Sequence, residues 1–167
     1  MILLARHGET DWNAAGRWMG QTDIPLNDRG REQARELAAL VGEPPEVWVS
    51  DLARARDTAE AVAPAPRVDA RLAESYRGTW EGLTIDQIQE ADPAGWEAWK
   101  RGEPDFRFAG GESIAEHRAR VLEVLGEMPE GALAVCHGGT IRCAFMDHRY
   151  PHELAVPNGV LLEWPRP

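Results

Sequence analysis

The strongest constraint on the fold comes from two short apolar segments that each run directly into a histidine followed by glycine. Residues 1–5 (MILLA) precede Arg6 and His7, and residues 133–136 (LAVC) precede His137. Short apolar runs of this kind are typical of strands buried on both faces, as in parallel α/β sheets. Ligands of such sheets bind beyond the carboxyl ends of the strands. The two histidines are therefore predicted to meet at that edge of the sheet.

Strands and helices alternate along the rest of the chain. Apolar runs predict further strands at 47–49, 67–69 and 160–162, and helical periodicity predicts helices over 27–41, 84–101 and from 113 onward. Asn27 and Ser50 are the expected N-caps of the helices that follow them. Gln33, Leu37 and Leu40 are predicted to form the inner face of the first helix. The alternation predicts a single α/β domain over residues 1–167, a three-layer sandwich with a largely parallel sheet flanked by helices.

The balance of charges restricts the possible partners. The formal net charge is −10, which argues against nucleic acid and anionic membranes but allows a small anionic substrate held by clustered arginines. The two cysteines, Cys136 and Cys143, provide no disulfide framework and are expected to be reduced. The chain begins on a predicted core strand and has no apolar run of membrane-spanning length. We therefore expect a cytoplasmic monomer or homodimer without a signal peptide.

Five side chains with complementary chemistry are predicted to converge at the carboxyl edge of the sheet. They are Arg6, His7, Arg54, Glu74 and His137, and each follows the end of a predicted strand. An imidazole nucleophile, cationic groups and one carboxylic acid form a set that is suited to phosphoryl transfer. The glycines after His137 also open a helix whose N-terminus favours an anion.

Six motifs follow one another along the chain. They are residues 6–13 (RHGETDWN), 50–55 (SDLARA), 72–74 (LAE), 78–82 (GTWEG), 110–113 (GGES) and 135–142 (VCHGGTIR). In this order they resemble the histidine phosphatase superfamily, which has the phosphoglycerate mutase-like fold. One of these motifs would be weak evidence, whereas six in order, distributed over most of the chain, are highly specific.

The resemblance implies a role for each candidate residue. His7 would attack phosphorus in its neutral form, with its other ring N–H held by a backbone carbonyl. Glu74 would protonate the leaving oxygen and then activate water, with Glu9 and Glu81 as alternatives. The residues implied to hold the phosphoryl group or the rest of the substrate are Arg6, Arg54, His137, Asn13, Gly138, Gly20 and Thr10. No metal ion and no cofactor is implied, because the arginines and a histidine supply the positive charge.

Residues 75–110, rich in tryptophan and phenylalanine, are interpreted as a helical flap over the active site that selects the leaving group. The chain is interpreted as a phosphatase of a small phosphate monoester. Its size and flap resemble the α-ribazole 5′-phosphate phosphatases of cobalamin synthesis, and also the small broad-specificity phosphatases. A phosphoglycerate mutase is one alternative, in which Lys100 and Arg101 would hold a second anionic group; we favour a solvated basic turn for these two residues. A non-catalytic phospho-ligand or protein-binding module is another alternative, and the complete catalytic set argues against it.

The remaining histidines are not predicted to take part in chemistry. His117 is expected on the protein surface. His148 and His152 have a spacing that could suit metal ligands, but Pro151 interrupts the helical register and no third ligand is evident, so no metal site is predicted. Met19 stands where many phosphatases of the family carry a glutamine, which removes a polar contact that the resemblance would imply.

Overall fold

The two strands that precede the histidines lie next to each other inside a mixed sheet. The computed structural model describes residues 1–166, and within them five strands form this sheet. They are β1 (Ile2–Arg6), β2 (Val47–Val49), β3 (Arg67–Val68), β4 (Leu133–Cys136) and β5 (Leu161–Trp164), in the spatial order β3–β2–β4–β1–β5. The first four run parallel, and β5 pairs antiparallel with β1. The predicted largely parallel sheet is confirmed, with one antiparallel edge strand.

Helices cover both faces of the sheet. They are α1 (Asp11–Ala14), α2 (Asp28–Val41), α3 (Ala53–Glu60), α4 (Ile85–Ala91), α5 (Pro93–Lys100), α6 (Ile114–Glu127) and α7 (Gly138–Ala144). Successive side chains of β1 point to opposite faces: Leu4 packs in the core with α6 and α7, and Ala5 packs in the core with α2 and α3. This packing confirms the three-layer sandwich. None of the helices within residues 1–166 is long and apolar enough to cross a membrane.

The inner face of α2 differs in one position from the prediction. Asn27 caps this helix as expected, since its side chain accepts a hydrogen bond from the Gly30 N–H at 2.8 Å. Leu37 is buried, but Leu40 is 68% exposed, so its assignment to the inner face is wrong. The inner position of the last turn is taken by Val41, four residues after Leu37, which packs against the core cluster of that face.

The start of α3 also differs from the prediction. Ser50 is not an N-cap, because α3 begins at Ala53 and its N-cap position is occupied by Leu52. The hydroxyl of Ser50 instead lies 2.8 Å from the ring of His137, across the sheet edge. The local propensity of serine for helix starts is overridden here by a tertiary contact.

Residues 75–110 build a small apolar cluster of their own. A 3₁₀ turn at Gly78–Trp80 leads into α4 and α5, which divide the helical stretch predicted over 84–101 at Asp92. The Asp92 carboxylate accepts hydrogen bonds from the Gly95 N–H at 2.9 Å and from the indole N–H of Trp80 at 3.0 Å. Trp80 packs there with Trp96 and other aromatic and aliphatic side chains of the segment. One acidic side chain thus ends α4, caps α5 and orients the central tryptophan.

Candidate active site

A cavity of about 280 Å³ opens at the carboxyl edge of the sheet. Arg6 and His7 line it from the end of β1, and Gly138 and Gly139 line it from the start of α7, which directly follows β4. Arg77 contributes to the wall from the segment 75–110. The cavity therefore lies where ligands bind in parallel α/β sheets.

His7 is buried but forms part of the cavity wall. Its Nδ1–H donates to the carbonyl of Gly8 at 2.6 Å, which makes Nε2 the unprotonated ring nitrogen. Burial lowers the pKa of His7 well below 6.5, and the charges of Arg6 and Arg54 lower it further. The imidazole is therefore neutral at pH 7, with a lone pair on Nε2, as a nucleophile requires.

His137 lies beside His7, with the ring centroids 5.1 Å apart. Burial, followed by the charge of Arg54, lowers the pKa of His137 well below 6.5, so this ring is also neutral. Its Nε2 is 2.8 Å from Ser50 Oγ, which already accepts the N–H of Leu52. Since the hydroxyl hydrogen has no other acceptor in the described part of the chain, the Ser50 O–H donates to Nε2. His137 then carries its proton on Nδ1, which has no partner among residues 1–166.

Two buried arginines accompany the histidines. Arg54 donates through Nη1 to the carbonyl of Thr22 at 3.0 Å and through Nη2 to that of Gly20 at 2.7 Å. Arg6 donates through Nη1 to the carbonyl of Val156 at 2.5 Å. Carbonyl groups orient both side chains without neutralising them, and neither Nε–H has an acceptor within the described residues. Burial lowers the pKa of Arg6 to about 10, so it stays charged at pH 7 and suits an anionic ligand.

Glu74 is the only carboxylic acid among the described residues that line the cavity. Its Oε1 accepts the N–H of Ser75 at 2.8 Å and its Oε2 that of Gly139 at 2.9 Å. The Nη2 atom of Arg77 lies 3.6 Å from Oε2. Burial acts to raise the pKa of Glu74, but Arg77, His117 and the two N–H groups outweigh it and lower the pKa to about 2. Glu74 is therefore a carboxylate in the free protein.

The four residues expected to contact the substrate divide into two pairs. Asn13 and Gly138 line the cavity, whereas Thr10 and Gly20 do not. Thr10 is fully buried, and its side chain caps α1 by accepting the N–H of Asn13 at 3.2 Å. The carbonyl of Gly20 holds Arg54 in place, as described above. Thr10 and Gly20 thus lie behind the residues that line the cavity, and direct contact of either with the substrate stays a prediction.

Three arginines on the cavity wall were not singled out by sequence reasoning. They are Arg17, Arg77 and Arg142. None of them directly follows the end of a strand, which is the feature that identified Arg6 and Arg54 in the sequence. Arg142 lies inside the motif at 135–142, which was the available signal. The remaining lining residues are three aromatic side chains, a half-buried histidine and a methionine: Trp18, Trp99, Tyr150, His152 and Met19.

The two basic residues considered as a mutase-like clamp lie elsewhere. Lys100 and Arg101 are exposed at the end of α5 and do not line the cavity. The Lys100 ammonium pairs with Glu97 at 2.8 Å, one turn earlier on the same helix. This arrangement fits the solvated basic turn that the sequence favours.

The expectation that His117 lies on the surface is wrong. Its side chain is fully buried on the inner face of α6, and its Nε2–H donates to the Thr140 hydroxyl at 3.2 Å. The Thr140 hydroxyl in turn donates to the carbonyl of Ala73 at 3.1 Å, next to Glu74. His117 lies three residues after Ile114 on the apolar stripe of α6, so the periodicity did indicate burial; its charged neighbours concealed this.

His148 and His152 do not form a metal site with a third ligand. Within residues 1–166 no group of three or more histidine, cysteine, aspartate or glutamate side chains could hold a metal ion. The side chain of His148 is 91% exposed. The Nε2–H of His152 donates to the carbonyl of Trp99 at 2.9 Å.

Comparisons with known proteins agree on the family. Residues 2–153 match the histidine phosphatase superfamily (branch 1). The chain is 38% identical over 159 residues to glucosyl-3-phosphoglycerate phosphatase of Mycobacterium tuberculosis, covering 84% of this chain and 71% of that protein. It is 35% identical over 159 residues to the metal-independent phosphoserine phosphatase of Arabidopsis thaliana, covering 87% and 67%. A solved phosphoglycerate mutase of Thermus thermophilus superposes with a TM-score of 0.81 at 35% identity, covering 99% and 94%.

Proposed function

The chain belongs to branch 1 of the histidine phosphatase superfamily, and we propose that it hydrolyses small phosphate monoesters through a phosphohistidine formed on His7. The observation that carries the proposal is the neutral imidazole of His7. Its Nδ1–H is fixed by the Gly8 carbonyl. The guanidinium groups of the arginines in the surrounding wall form no hydrogen bond with a carboxylate within residues 1–166. A fixed, unprotonated nitrogen in a cationic cavity is what phosphoryl transfer to histidine requires.

In the first half-reaction the phosphoryl group is held by Arg6, Arg54 and the Nδ1–H of His137. The lone pair on His7 Nε2 forms a bond to phosphorus while the bond between phosphorus and the ester oxygen breaks. Glu74, a carboxylate in the free protein, takes up a proton from solvent as the phosphate dianion binds. The departing oxygen takes this proton, so the alcohol leaves neutral and Glu74 returns to the carboxylate form. The cationic groups stabilise the negative charge of the equatorial oxygens in the transition state.

In the second half-reaction water enters the position vacated by the alcohol. The Glu74 carboxylate takes a proton from this water as its oxygen attacks phosphorus. The bond between phosphorus and His7 Nε2 breaks and inorganic phosphate dissociates. The imidazole of His7 is then neutral again. Asn13 would supply a further hydrogen bond to the phosphoryl group. Its Oδ1 accepts the amide N–H of Asn158 at 3.1 Å and the backbone N–H of Thr10 at 3.1 Å, so its own amide N–H groups are the donors directed away from these two partners.

The leaving alcohol is the less constrained part of the proposal. The two phosphatase relatives are named for different esters, and α-ribazole 5′-phosphate, which the flap resemblance favours, stays one candidate among several. The similarity to a protein named phosphoglycerate mutase supports mutase activity as the second candidate. Lys100 and Arg101, which would supply a second anion clamp in such a mutase, lie off the cavity, and this favours the phosphatase.

The test is a phosphate-release assay with trapping of the intermediate. The substrates are 4-nitrophenyl phosphate, 3-phosphoglycerate, O-phosphoserine and α-ribazole 5′-phosphate. We expect steady release of inorganic phosphate from at least one of them and an acid-labile, base-stable phosphoenzyme after rapid quenching. His7→Ala should abolish both signals, whereas His148→Ala, which removes an exposed histidine, should leave both unchanged.

Two outcomes would contradict this proposal. Turnover close to wild type in His7→Ala would exclude the phosphohistidine. Formation of 2-phosphoglycerate from 3-phosphoglycerate with a bisphosphoglycerate primer, faster than phosphate release from any monoester, would establish the mutase instead.

A further inference from the structure

We propose that Arg77 binds a second oxyanion, a carboxylate or phosphate on the leaving alcohol, and that this contact frees Glu74 to act as the acid. The inference rests on the proposed phosphatase function and assigns both a substrate class and a specificity-determining residue. The substrates it selects are phosphate monoesters whose alcohol carries another negative charge close to the ester.

The first observation is that the side chain of Arg77 is largely buried and that its guanidinium forms no hydrogen bond within residues 1–166. Its side chain is only 12% exposed, and its Nε has no partner within residues 1–166. The nearest carboxylate oxygen, Glu74 Oε2, lies 3.6 Å away, beyond hydrogen-bond distance. A buried N–H donor without an acceptor is costly even beside an ion pair, because the group has lost its hydrogen bonds to water. An oxyanion that enters the cavity would supply the missing acceptor.

The second observation is the position of the Arg77 guanidinium beside two aromatic rings. Its Cζ lies 4.6 Å from the ring centroid of Trp18 and 5.6 Å from that of Phe108. Aromatic rings attract the flat face of an arginine, and all of its N–H bonds lie in the plane of that face. These cation–π contacts help to hold Arg77 in place and use none of its N–H groups as hydrogen-bond donors to a carboxylate or carbonyl, and Arg77 lines the cavity.

The third observation is the balance of charge on the cavity wall. Five arginines line it, together with the single carboxylate of Glu74: Arg6, Arg17, Arg54, Arg77 and Arg142. A phosphoryl dianion held by Arg6 and Arg54 leaves the other three arginines of the wall with Glu74 as the one carboxylate among the described lining residues. Arg142 adds to this excess of positive charge, since its Nε donates to the carbonyl of Leu154 at 3.1 Å while its terminal amino groups have no acceptor in the described part of the chain.

The contact between Arg77 and Glu74 couples recognition to catalysis. Arg77 is the nearest cation to the Glu74 carboxylate and favours its ionised form. An oxyanion bound by Arg77 neutralises that cation, so the affinity of Glu74 for a proton rises when such a substrate is in place. A proton on Glu74 is what the departing alkoxide needs. A substrate without the second anion would leave the charge of Arg77 facing Glu74, so the carboxylate would hold its proton less well and the departing alkoxide would be protonated less often.

The test compares two substrates that differ only in the proposed anion. 3-Phosphoglycerate carries a carboxylate where glycerol 3-phosphate carries a hydroxymethyl group. We expect wild-type kcat/KM to favour 3-phosphoglycerate by about tenfold or more, and Arg77→Gln to bring the ratio close to one. Arg101→Gln is the matched control, because it removes an exposed arginine near the end of the same segment and should leave the ratio unchanged. Arg77→Lys keeps the charge and should keep an intermediate selectivity.

The ratio is measured within each variant, so a general loss of activity does not alter it, and circular dichroism confirms that each variant is folded. The inference would be overturned if the wild-type kcat/KM values for the two substrates were nearly equal. It would also be overturned if Arg77→Gln kept the wild-type preference for 3-phosphoglycerate, or if Arg101→Gln abolished that preference. Hydrolysis of 4-nitrophenyl phosphate without turnover of 3-phosphoglycerate would also overturn it and leave the proposed function standing. Failure to hydrolyse any of the monoesters would instead overturn the proposed function itself.

Discussion

At the scale of single residues, the ionisation of Glu74 sets the order of events in the proposed reaction. Two backbone N–H groups and Arg77 keep it a carboxylate in the free protein, with a pKa of about 2. A bound phosphoryl dianion offsets the charges of Arg6 and Arg54, and this raises the pKa of Glu74 toward the range of a general acid. The same residue returns to its preferred ionised form for the hydrolytic step, in which it acts as the base.

This order of events predicts how Glu74→Gln depends on the leaving group. The amide cannot donate the required proton, so kcat/KM for an alkyl phosphate should fall by about 10²–10⁴. 4-Nitrophenolate leaves without a proton, so the kcat/KM for its phosphate ester should fall much less. The value of kcat/KM reports phosphoryl transfer to His7 and separates the acid role from the later base role.

The matched control for this prediction is Glu81→Gln. Glu81 was the sequence-based alternative for the acid, but its carboxylate accepts the N–H groups of Gln21 and Arg77 at 3.0 and 3.2 Å, and it does not line the cavity. Equal losses on both esters in Glu74→Gln, or a steeper dependence on the leaving group in Glu81→Gln, would reassign the acid.

At the scale of secondary-structure elements, the loop after β1 is held by α2 and α3. The Gly8 N–H donates to the Thr58 hydroxyl of α3 at 3.0 Å, and the Glu9 N–H donates to the Gln33 side chain of α2 at 2.8 Å. Gly8 and Gly30 allow this loop to approach the start of α2 closely, because a Cβ on Gly8 would lie 2.8 Å from Gly30 Cα. The position of His7 therefore depends on the hydrogen bonds and the close glycine contact that join this loop to α2 and α3.

This close approach predicts opposite effects for two glycine-to-alanine substitutions in helices. A Cβ on Gly30 would lie 2.8 Å from the Glu9 backbone nitrogen, so Gly30→Ala should lower the free energy of unfolding by about 1–3 kcal/mol, the usual cost of overpacking. A Cβ on Gly126 in α6 would meet nothing within 4 Å, so Gly126→Ala should be neutral or stabilise by up to about 1 kcal/mol. Urea unfolding measures both, and equal effects at the two sites would refute the packing argument.

Element-scale signals also explain which parts of the fold could be predicted. Caps such as Asn27 and Ser113 act locally, so their helices were placed correctly from the sequence. Ser50 carries the same local signal, but its hydroxyl serves His137 across the sheet, and no local pattern contains that contact. The antiparallel direction of β5 could not be predicted either, because a short apolar run does not indicate which strand it will pair with. Residues at strand ends were predictable, and residues brought in by loops, such as Arg77, were not.

At the scale of the whole molecule, charge is distributed unevenly. The chain has a formal net charge of −10, but the cavity wall holds five arginines and one glutamate. Composition alone suggested only that a small anion was permitted, because the sum of charges does not describe their positions. Three histidines in or close to this cavity are neutral inside the fold: His7, His117 and His137. Burial is the main cause of their lowered pKa values, and the charges of nearby arginines add to it.

These neutral histidines predict how the stability of the whole molecule depends on pH. In the unfolded chain each would have a pKa near 6.5, whereas burial lowers the pKa of His117 to about 4 and those of His7 and His137 well below 6.5. Below pH 6.5 the unfolded chain therefore binds protons that the folded chain does not. The stabilisation is fully present above pH 6.5 and is lost as the pH falls toward the folded-state values. Each histidine contributes a slope of up to about 1.4 kcal/mol per pH unit.

We expect urea unfolding between pH 7 and 5 to show a steady fall in the free energy of unfolding. Near pH 5.5 the fall should correspond to the uptake of about three protons by His7, His117 and His137, together with a contribution from the half-buried His152, whose pKa burial also lowers. Glu74 does not interfere, because its pKa is lowered and its stabilisation is lost only at more acidic pH. His117→Gln should reduce the uptake by about one proton, since it removes one buried imidazole. His148→Gln should leave the slope unchanged, because that side chain is 91% exposed. A free energy of unfolding that stays constant from pH 7 to 5 would mean that the buried histidines accept protons without unfolding, and the neutral nucleophile proposed for His7 would then lose its structural basis.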